Sequence, residues 1–514
     1  MATINVKQWS DNRPNAKGDG VTDDTNAIRE AIKHITGLPQ TEPHAIFFPA
    51  GTYLVTGQLS IRGTRITLHG EASSPTEFTG DGKQVKGSST SVIKLKIPET
   101  SDPLSRAGFL LNRTSKSQGE IRNVTFRDLS FDCTETASSK SNQEAAIYAI
   151  NVTSLILKNI VILGVRRQYG VRIRSSAGMQ SRGCNLDHVF VSGDKGTKDK
   201  GLQAGISLDA ELKDASGKER DPKTEWKKSL EKGDPAEGKA AISAYPVASN
   251  LISHCHVRDA YYGLKLSGVR DTEVRECSFS HNERGISMQD GSSLNRVIGN
   301  RIFENDSAGI HLAYGSSNNR IVGNSIESSR AHGEAFLQAY VGSKRNVFEG
   351  NSLCFTGTGE GKKATDSVGP RYFLYAGVHA DANVFSNNVV VGCCQRAYAA
   401  LESAWSTKVK GEHASLHYGS GAKSENTDGM TGKQGVSQCR FIGNTFAPAI
   451  RVDREVPADP AIRPFCIFLA TEVNGRPLRD YSFSGNRVLW RGRYGSATDP
   501  DVCLVLSLKD AQRS

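Results

Sequence analysis

The chain has 514 residues, 37% of them apolar, with 51 glycines and only 17 prolines; it is too apolar for disorder and too turn-rich for a helical bundle, which favours β structure. A formal net charge of +10 would draw anionic partners such as acidic polysaccharide, although the interspersed acidic residues are equally consistent with a merely solvated surface. Ten cysteines without a CxxC pair of zinc spacing read as buried thiols rather than metal ligands.

The opening MATINVKQWSDNRP lacks the apolar run of a signal peptide, and no stretch of 18 consecutive apolar residues occurs. The chain as given is therefore expected neither to span a membrane nor to show an export signal. The next segment, GDGVTDDTNAIREAI (Gly18 to Ile32), could be taken for a metal or phosphate loop. A structural reading is simpler: a glycine turn, Thr or Asp as helix N-cap, acidic residues in the first turn, then Ala27, Ile28, Ala31, Ile32 and Ile35 on one helical face. Such a helix would cover the open end of a β solenoid.

From there the sequence returns repeatedly to one pattern. GLKLSGVRDTEVREC, GISMQDGSSLNRVIGN and GIHLAYGSSNNRIVGN each give Gly, apolar, any, apolar, then a turn, then a fixed Asn or Cys. Alignment on that residue yields a ladder of Asn159, Cys255, Cys277, Asn300, Asn324, Asn351, Asn388, Asn444 and Asn486. Apolar residues stand three positions earlier, from Ile156 and Ile252 to Phe441 and Phe483. The shortest steps, 22 to 24 residues, fit one coil of short strands that cannot bury its own apolar face and must stack on its neighbours. Stacked Asn side chains could bond one another along the solenoid, with Cys255 and Cys277 packing as small thiols in their place. Propeller and leucine-rich repeats have other periods and marks.

The expected fold is thus all-β, a single-stranded right-handed parallel β-helix. Residues 1–60 form the N-terminal cap and first coil, 61–490 the helix, and 491–514 a C-terminal tail or cap. Steps that lengthen later in the chain place insertions near 210–247, 354–369, 403–437 and 448–464, where binding loops would be expected. Within each coil the apolar residues point inward and the remaining one outward. One outward column then runs Arg172, Ser207, Lys265, Ser287, His311, Gln338 and Tyr375, and a second runs Arg174, Asp209, Ser267, Gln289, Ala313, Tyr340 and Gly377.

The stretch AKGDGVTDDTNAIREAI followed by IFFPAGTYLVTGQLSI resembles the opening signature of the pectate-lyase-like superfamily of right-handed parallel β-helices. That group includes polysaccharide lyases, hydrolases, epimerases and phage tailspikes, and the rungs from Asn250 to Asn388 are similar to its sugar-hydrolase repeats. The resemblance covers most of the chain and implies a polysaccharide or oligosaccharide partner and an extracellular or virion-associated setting. Two better-marked subgroups are not matched. SENTDGM echoes the first polygalacturonase motif without the elements that should follow, and none of the Asp-Pro pairs carries the His of the alginate-epimerase motif.

Elimination from a uronate polymer needs a cation to neutralise the carboxylate, a base to take the adjacent proton and an acid for the leaving oxygen. Arg172, Arg174 or Lys265 suit the first task, His311 or Lys265 the second, and Tyr340 or His311 the third, with Gln289, Gln338 and Tyr375 as further sugar contacts. Epimerisation uses the same carbanion. Hydrolysis instead needs two carboxyl groups, for which Asp209 and Glu211, about 6.5 to 7 Å apart along a strand, are candidates beside Glu283, Asp290 and Glu402. The leading expectation is a lyase or epimerase acting on an anionic polysaccharide, because the column is more basic than acidic. A glycoside hydrolase, a trimeric tailspike depolymerase or a non-catalytic glycan-binding solenoid are the alternatives. No cofactor or metal is called for; calcium serves many lyases of this fold, but no acidic cluster here has a spacing that demands it. No nucleic-acid motif is present.

Overall fold

The computed structural model describes residues 2–9, 13–71, 77–78, 85–86, 90–97, 104–134, 145–166, 168–176, 178–193, 201–211, 245–329, 335–356, 370, 372–377, 380–392, 397–402, 438–448, 465–470, 482–488 and 504–507. The insertions expected near 210–247, 354–369, 403–437 and 448–464 and the SENTDGM stretch lie largely or wholly outside these residues. The chain divides into two compact units, Met1–Glu211 with Ser243–Asn282, and Leu212–Ile242 with Glu283–Ser514. Each is a right-handed parallel β-helix, as the period implied.

In the first unit the strand Ile156–Val165 pairs in parallel with both Thr125–Asp132 and Asn185–Gly193. Asn185–Gly193 in turn pairs with the short strands Leu251–Ser253 and His256–Arg258. The helix Thr25–Gly37 packs on the strands His44–Phe48 and Leu59–Ile61. It buries Ala27, Ile28, Ala31, Ile32 and Ile35, the face that the sequence marked. Its capping differs from expectation: Asp24 stands at the N-cap without capping through its side chain, and the first turn holds no acidic residue. The Asp24 carboxylate instead accepts the amides of Lys17 and Gly18 at 2.7 and 3.0 Å, while Asp23 accepts the Thr25 amide at 3.0 Å.

The ladder is clearest in the second unit. Asn324 Oδ1 accepts both the backbone and the side-chain N–H of Asn300 at 2.9 Å, and Asn324 donates in the same way to Asn351. The pattern continues through Asn388 and Asn444 to Asn486. Each Nδ2 also donates to a backbone carbonyl, such as Asn351 to Ile321 O at 3.0 Å, so a fully buried amide meets its bonding capacity. Beneath the ladder, Phe348, Phe385, Phe441 and Phe483 stack with centroids 4.5, 4.8 and 4.8 Å apart, close to the spacing between paired strands. A second ladder, Asn295, Asn319, Asn346 and Asn383, runs five residues upstream with contacts of 2.9 to 3.0 Å.

In the first unit thiols take the ladder positions: Cys277 Sγ accepts the Cys255 amide at 3.4 Å. Asn159 does not belong to this ladder. Ile156 pairs with Asn185 and Asn185 with Leu251, so the true counterpart of Ile252 is Leu157. Asn159 lies one residue early, at the left-handed bend (φ 52°). A strand Leu504–Ser507 pairs with Phe465–Ala470, which extends strand pairing beyond the boundary expected at 490. No helix among the described residues is long and apolar enough to cross a membrane.

Candidate functional site

Four strands of the first unit, Ala145–Ile150, Tyr169–Ser175, Ala204–Ala210 and Tyr262–Ser267, lie side by side in parallel. Their register places Tyr148, Arg172, Ser207 and Lys265 in one row and Ile150, Arg174, Asp209 and Ser267 in the next. The two outward columns read from the sequence therefore exist here, and Tyr148 extends the first of them. That extension was readable from the alternation of AAIYAI, where the outward position falls on Tyr148.

Arg172 is the centre of the cluster. Its guanidinium lies over the rings of Tyr169 at 4.6 Å and Tyr148 at 5.1 Å. Its Nε and a terminal nitrogen donate to the two oxygens of Asp209, both at 2.9 Å. Arg174 approaches the same carboxylate at 3.7 Å and Glu211 at 4.0 Å, and Ser207 Oγ donates to Asp209 at 3.3 Å. Burial alone would raise the Asp209 pKa, but the charges of Arg172, Arg174 and Lys265 outweigh it and hold the carboxyl below its ordinary value. The same pairing, against an opposing effect of burial, raises Arg172 well above the usual arginine value. An acid held ionised in a bidentate pair is a poor proton donor at neutral pH. Asp209 is thus built to position Arg172, and the expected Asp209–Glu211 pair has both carboxylates turned to arginines.

Lys265 is half-buried, with Nζ 5.8 Å from the Tyr262 ring centroid. Arg174 is the more accessible of the two arginines, its side chain 22% exposed against 15% for Arg172. Three cations and two carboxylates thus stand on adjacent strands at a partly open surface.

The second unit carries its own run of the column. Ser287, His311, Gln338 and Tyr375 align in register through successive strands. This part of the expectation needs correction, because the row is not an exposed wall: His311, Gln338 and Tyr375 are 3 to 5% exposed, and Tyr340 and Gln289 are buried as well. The reason is mutual packing. Gln289 Nε2 donates to Ser287 Oγ at 2.8 Å, Ser287 Oγ lies 3.3 Å from His311 Nδ1, and Tyr375 stacks on Tyr372 at 5.0 Å. Burial, reinforced by the charge of Arg284, pushes His311 well below the ordinary histidine value. It is therefore neutral at physiological pH and resists taking up a proton. Of the remaining acid candidates, Asp290 occupies a left-handed turn (φ 58°) before Gly291, Glu283 fixes the following coil by accepting the Ser307 amide on its carbonyl at 2.7 Å, and Glu402 stands opposite Gly377 in register.

Two family models match the sequence, one described as a right handed beta helix region over residues 230–353 and one as rhamnogalacturonase A/epimerase, pectate lyase-like, over residues 5–198. Together the two matches support a right-handed β-helix superfamily for this chain. No curated protein matches this member by sequence. Among solved structures, DFA-IIIase from Arthrobacter chlorophenolicus A6 without its lid, in complex with GF2, is similar at 13% identity over 92% of this chain and 99% of that one, with a TM-score of 0.52. The mannuronan C-5 epimerase AlgE4 A-module of Azotobacter vinelandii aligns at 14% identity over 95% and 98% of the chains, with a TM-score of 0.47. ORF18 of Geobacillus virus E2 aligns at 18% identity over 75% of this chain and 61% of its own length, with a TM-score of 0.47. At these identities the likeness concerns the fold of this β-helix superfamily member alone.

Proposed function

We propose that the first unit's strand face binds an anionic, uronate-type polysaccharide or oligosaccharide and acts on it by β-elimination or epimerisation. The observation that carries this reading is the charge arrangement: Arg172, Arg174 and Lys265 stand on adjacent strands around Asp209, with Glu211 beside Arg174. The matching family model named for rhamnogalacturonase A and epimerases covers Arg172 and Arg174, which supports a sugar as the partner. Asp209 fixes Arg172 rigidly over two aromatic rings, and rigid support is what a charge-stabilising group requires. Arg174 then meets the substrate carboxylate, whose neutralisation acidifies the neighbouring C–H, and Lys265, as the neutral amine, takes that proton. Elimination follows if the leaving oxygen is protonated, and epimerisation if the proton returns from the other face of the ring.

A panel of uronate, sulfated and capsular glycans, read by ultraviolet absorbance, reducing ends and uronate composition, tests the proposal. Elimination produces an absorbing unsaturated uronate, and epimerisation changes composition without cleavage. Reducing ends without absorbance would replace the proposal with hydrolysis. No change on any glycan, with binding retained, would make the protein a non-catalytic glycan-binding solenoid.

A further inference from the structure

Outside this face, on the other side of the first unit's coils, three successive bends bring titratable side chains together. The strands Asn185–Gly193, Leu251–Ser253 and Glu273–Arg275 are in register, Asp187 opposite Ser253 and Ser253 opposite Arg275. The residues that follow, His188, His254 and Glu276, therefore stack one above another. All three hold the left-handed conformation, with φ of 54°, 51° and 53°. The His188 and His254 rings are stacked, 4.8 Å between centroids and 23° between planes.

We infer that Asp187, His188 and His254 form a binding site for a divalent transition metal ion of the zinc type, with Glu276 orienting His254 from behind. The three ligand atoms lie within 4.8 Å of one another. Asp187 Oδ1 is 3.0 Å from His188 Nδ1 and 2.9 Å from His254 Nδ1. Four-coordinate zinc, with bonds of about 2.0 Å, holds its ligands roughly 3.3 Å apart. The two Asp–His pairs thus need to open by only a few tenths of an ångström, while the two histidine nitrogens, within 4.8 Å of each other, settle to a similar spacing around the ion. Two imidazoles and one carboxylate are a donor set suited to zinc, cobalt or nickel and ill suited to calcium.

The surroundings match those of a metal-ligating histidine. His254 Nε2 meets Glu276 Oε2 at 2.7 Å, so its second nitrogen is held by a carboxylate while Nδ1 faces the site. Ser253 Oγ donates to Asp187 at 3.1 Å, which fixes the carboxylate in turn. Binding would displace the proton between each Nδ1 and Asp187, and the fourth position would be filled by water or an incoming ligand. The ion would clip together residues 66 and 67 positions apart, since Asp187 already reaches Ser253 and His254. This site shares no residue with the glycan face, so its fate is independent of that reading.

The test uses the full chain, stripped with a chelator and titrated with Co2+ as a coloured stand-in and with Zn2+ in competition. The expected result is one equivalent of Co2+ with the visible absorption of a four-coordinate site, displaced by Zn2+, together with a raised thermal midpoint. His254→Ala and His188→Ala should each abolish the absorption with far-ultraviolet circular dichroism unchanged, and Glu276→Gln should weaken binding about tenfold or more. Should His254→Ala fail to fold, His188→Ala alone decides the matter. Absence of stoichiometric binding, or binding that survives His188→Ala, overturns the proposal and leaves an ion-paired histidine stack.

Discussion

The two units build the same bend with opposite chemistry. In the second unit the left-handed position of each coil is Gly299, Gly323, Gly350, Asn387, Gly443 or Gly485, followed by the stacked asparagines. In the first unit that position holds Asp128, Asn159, His188, His254 and Glu276, and the ladder that follows includes the thiols Cys255 and Cys277. A non-glycine residue in this conformation costs roughly 1 kcal/mol. The second unit avoids that cost at every one of these positions but Asn387 and satisfies its buried amides; the first accepts it and gains, Asn159 apart, a row of titratable side chains. The outward columns differ in the same sense, part-exposed and charged in the first unit, buried and neutral or aromatic in the second.

The largest effect should fall on the first unit's chemistry. Replacing Arg174 or Lys265 by Gln should lower turnover of a uronate glycan by about 100-fold or more, measured by the ultraviolet assay, while thermal unfolding stays near that of the parent. If both variants turn over at the parent's rate, the charged face is not the catalytic surface.

Asp209→Asn should cost stability as well as activity, about 3 kcal/mol, because it strips the partner from a largely buried guanidinium; denaturant unfolding measures it. Asn351→Ala, in the second unit, should cost a similar amount, about 3 kcal/mol, since it orphans the amide of Asn324 and removes the bonds to Ile321 and Asn388. Activity per folded molecule should be unchanged. A loss under 1 kcal/mol would mean that the ladder is incidental to stability.

Acid should expose the buried histidine. Because His311 has a folded pKa well below its ordinary 6.5, the native state refuses a proton that the unfolded chain accepts. Its share of stability is complete above the unfolded value and is lost as pH falls below it toward the folded one. His311→Gln should flatten that part of the stability-pH profile, whereas an unchanged slope would locate the acid sensitivity elsewhere. The smallest effect is expected from Gly323→Ala. No atom lies within 4 Å of the added methyl and φ is 64°, so only backbone strain remains, about 1 kcal/mol.

Much of this plan was legible in the sequence, and the parts that were not have physical reasons. The coil period, the inward apolar residues and the amphipathic face of Ala27 to Ile35 follow from alternation and helical spacing alone. The one-residue error at Asn159 arose because an Asn suits both the left-handed bend and the ladder. The Arg172–Asp209 pair needed the register of neighbouring strands, since its partners lie 37 residues apart. The burial of His311 and Tyr375 was invisible because alternation says which way a side chain points and nothing of what closes over it. The second ladder is legible five residues before the first, at Asn295, Asn319, Asn346 and Asn383, because each coil carries two asparagines at fixed spacing. Asp187, His188 and His254 are joined only by the stacking of two bends 66 residues apart.

The central claim is that Arg172, Arg174 and Lys265 on the first unit's strand face recognise an acidic sugar chain. Titrating a uronate oligomer into the parent protein and into the Arg174→Gln/Lys265→Gln double variant, at low and high ionic strength, tests it most directly. Binding by the parent that weakens with salt and vanishes in the double variant is the predicted result; equal binding by the two proteins, insensitive to salt, would contradict it.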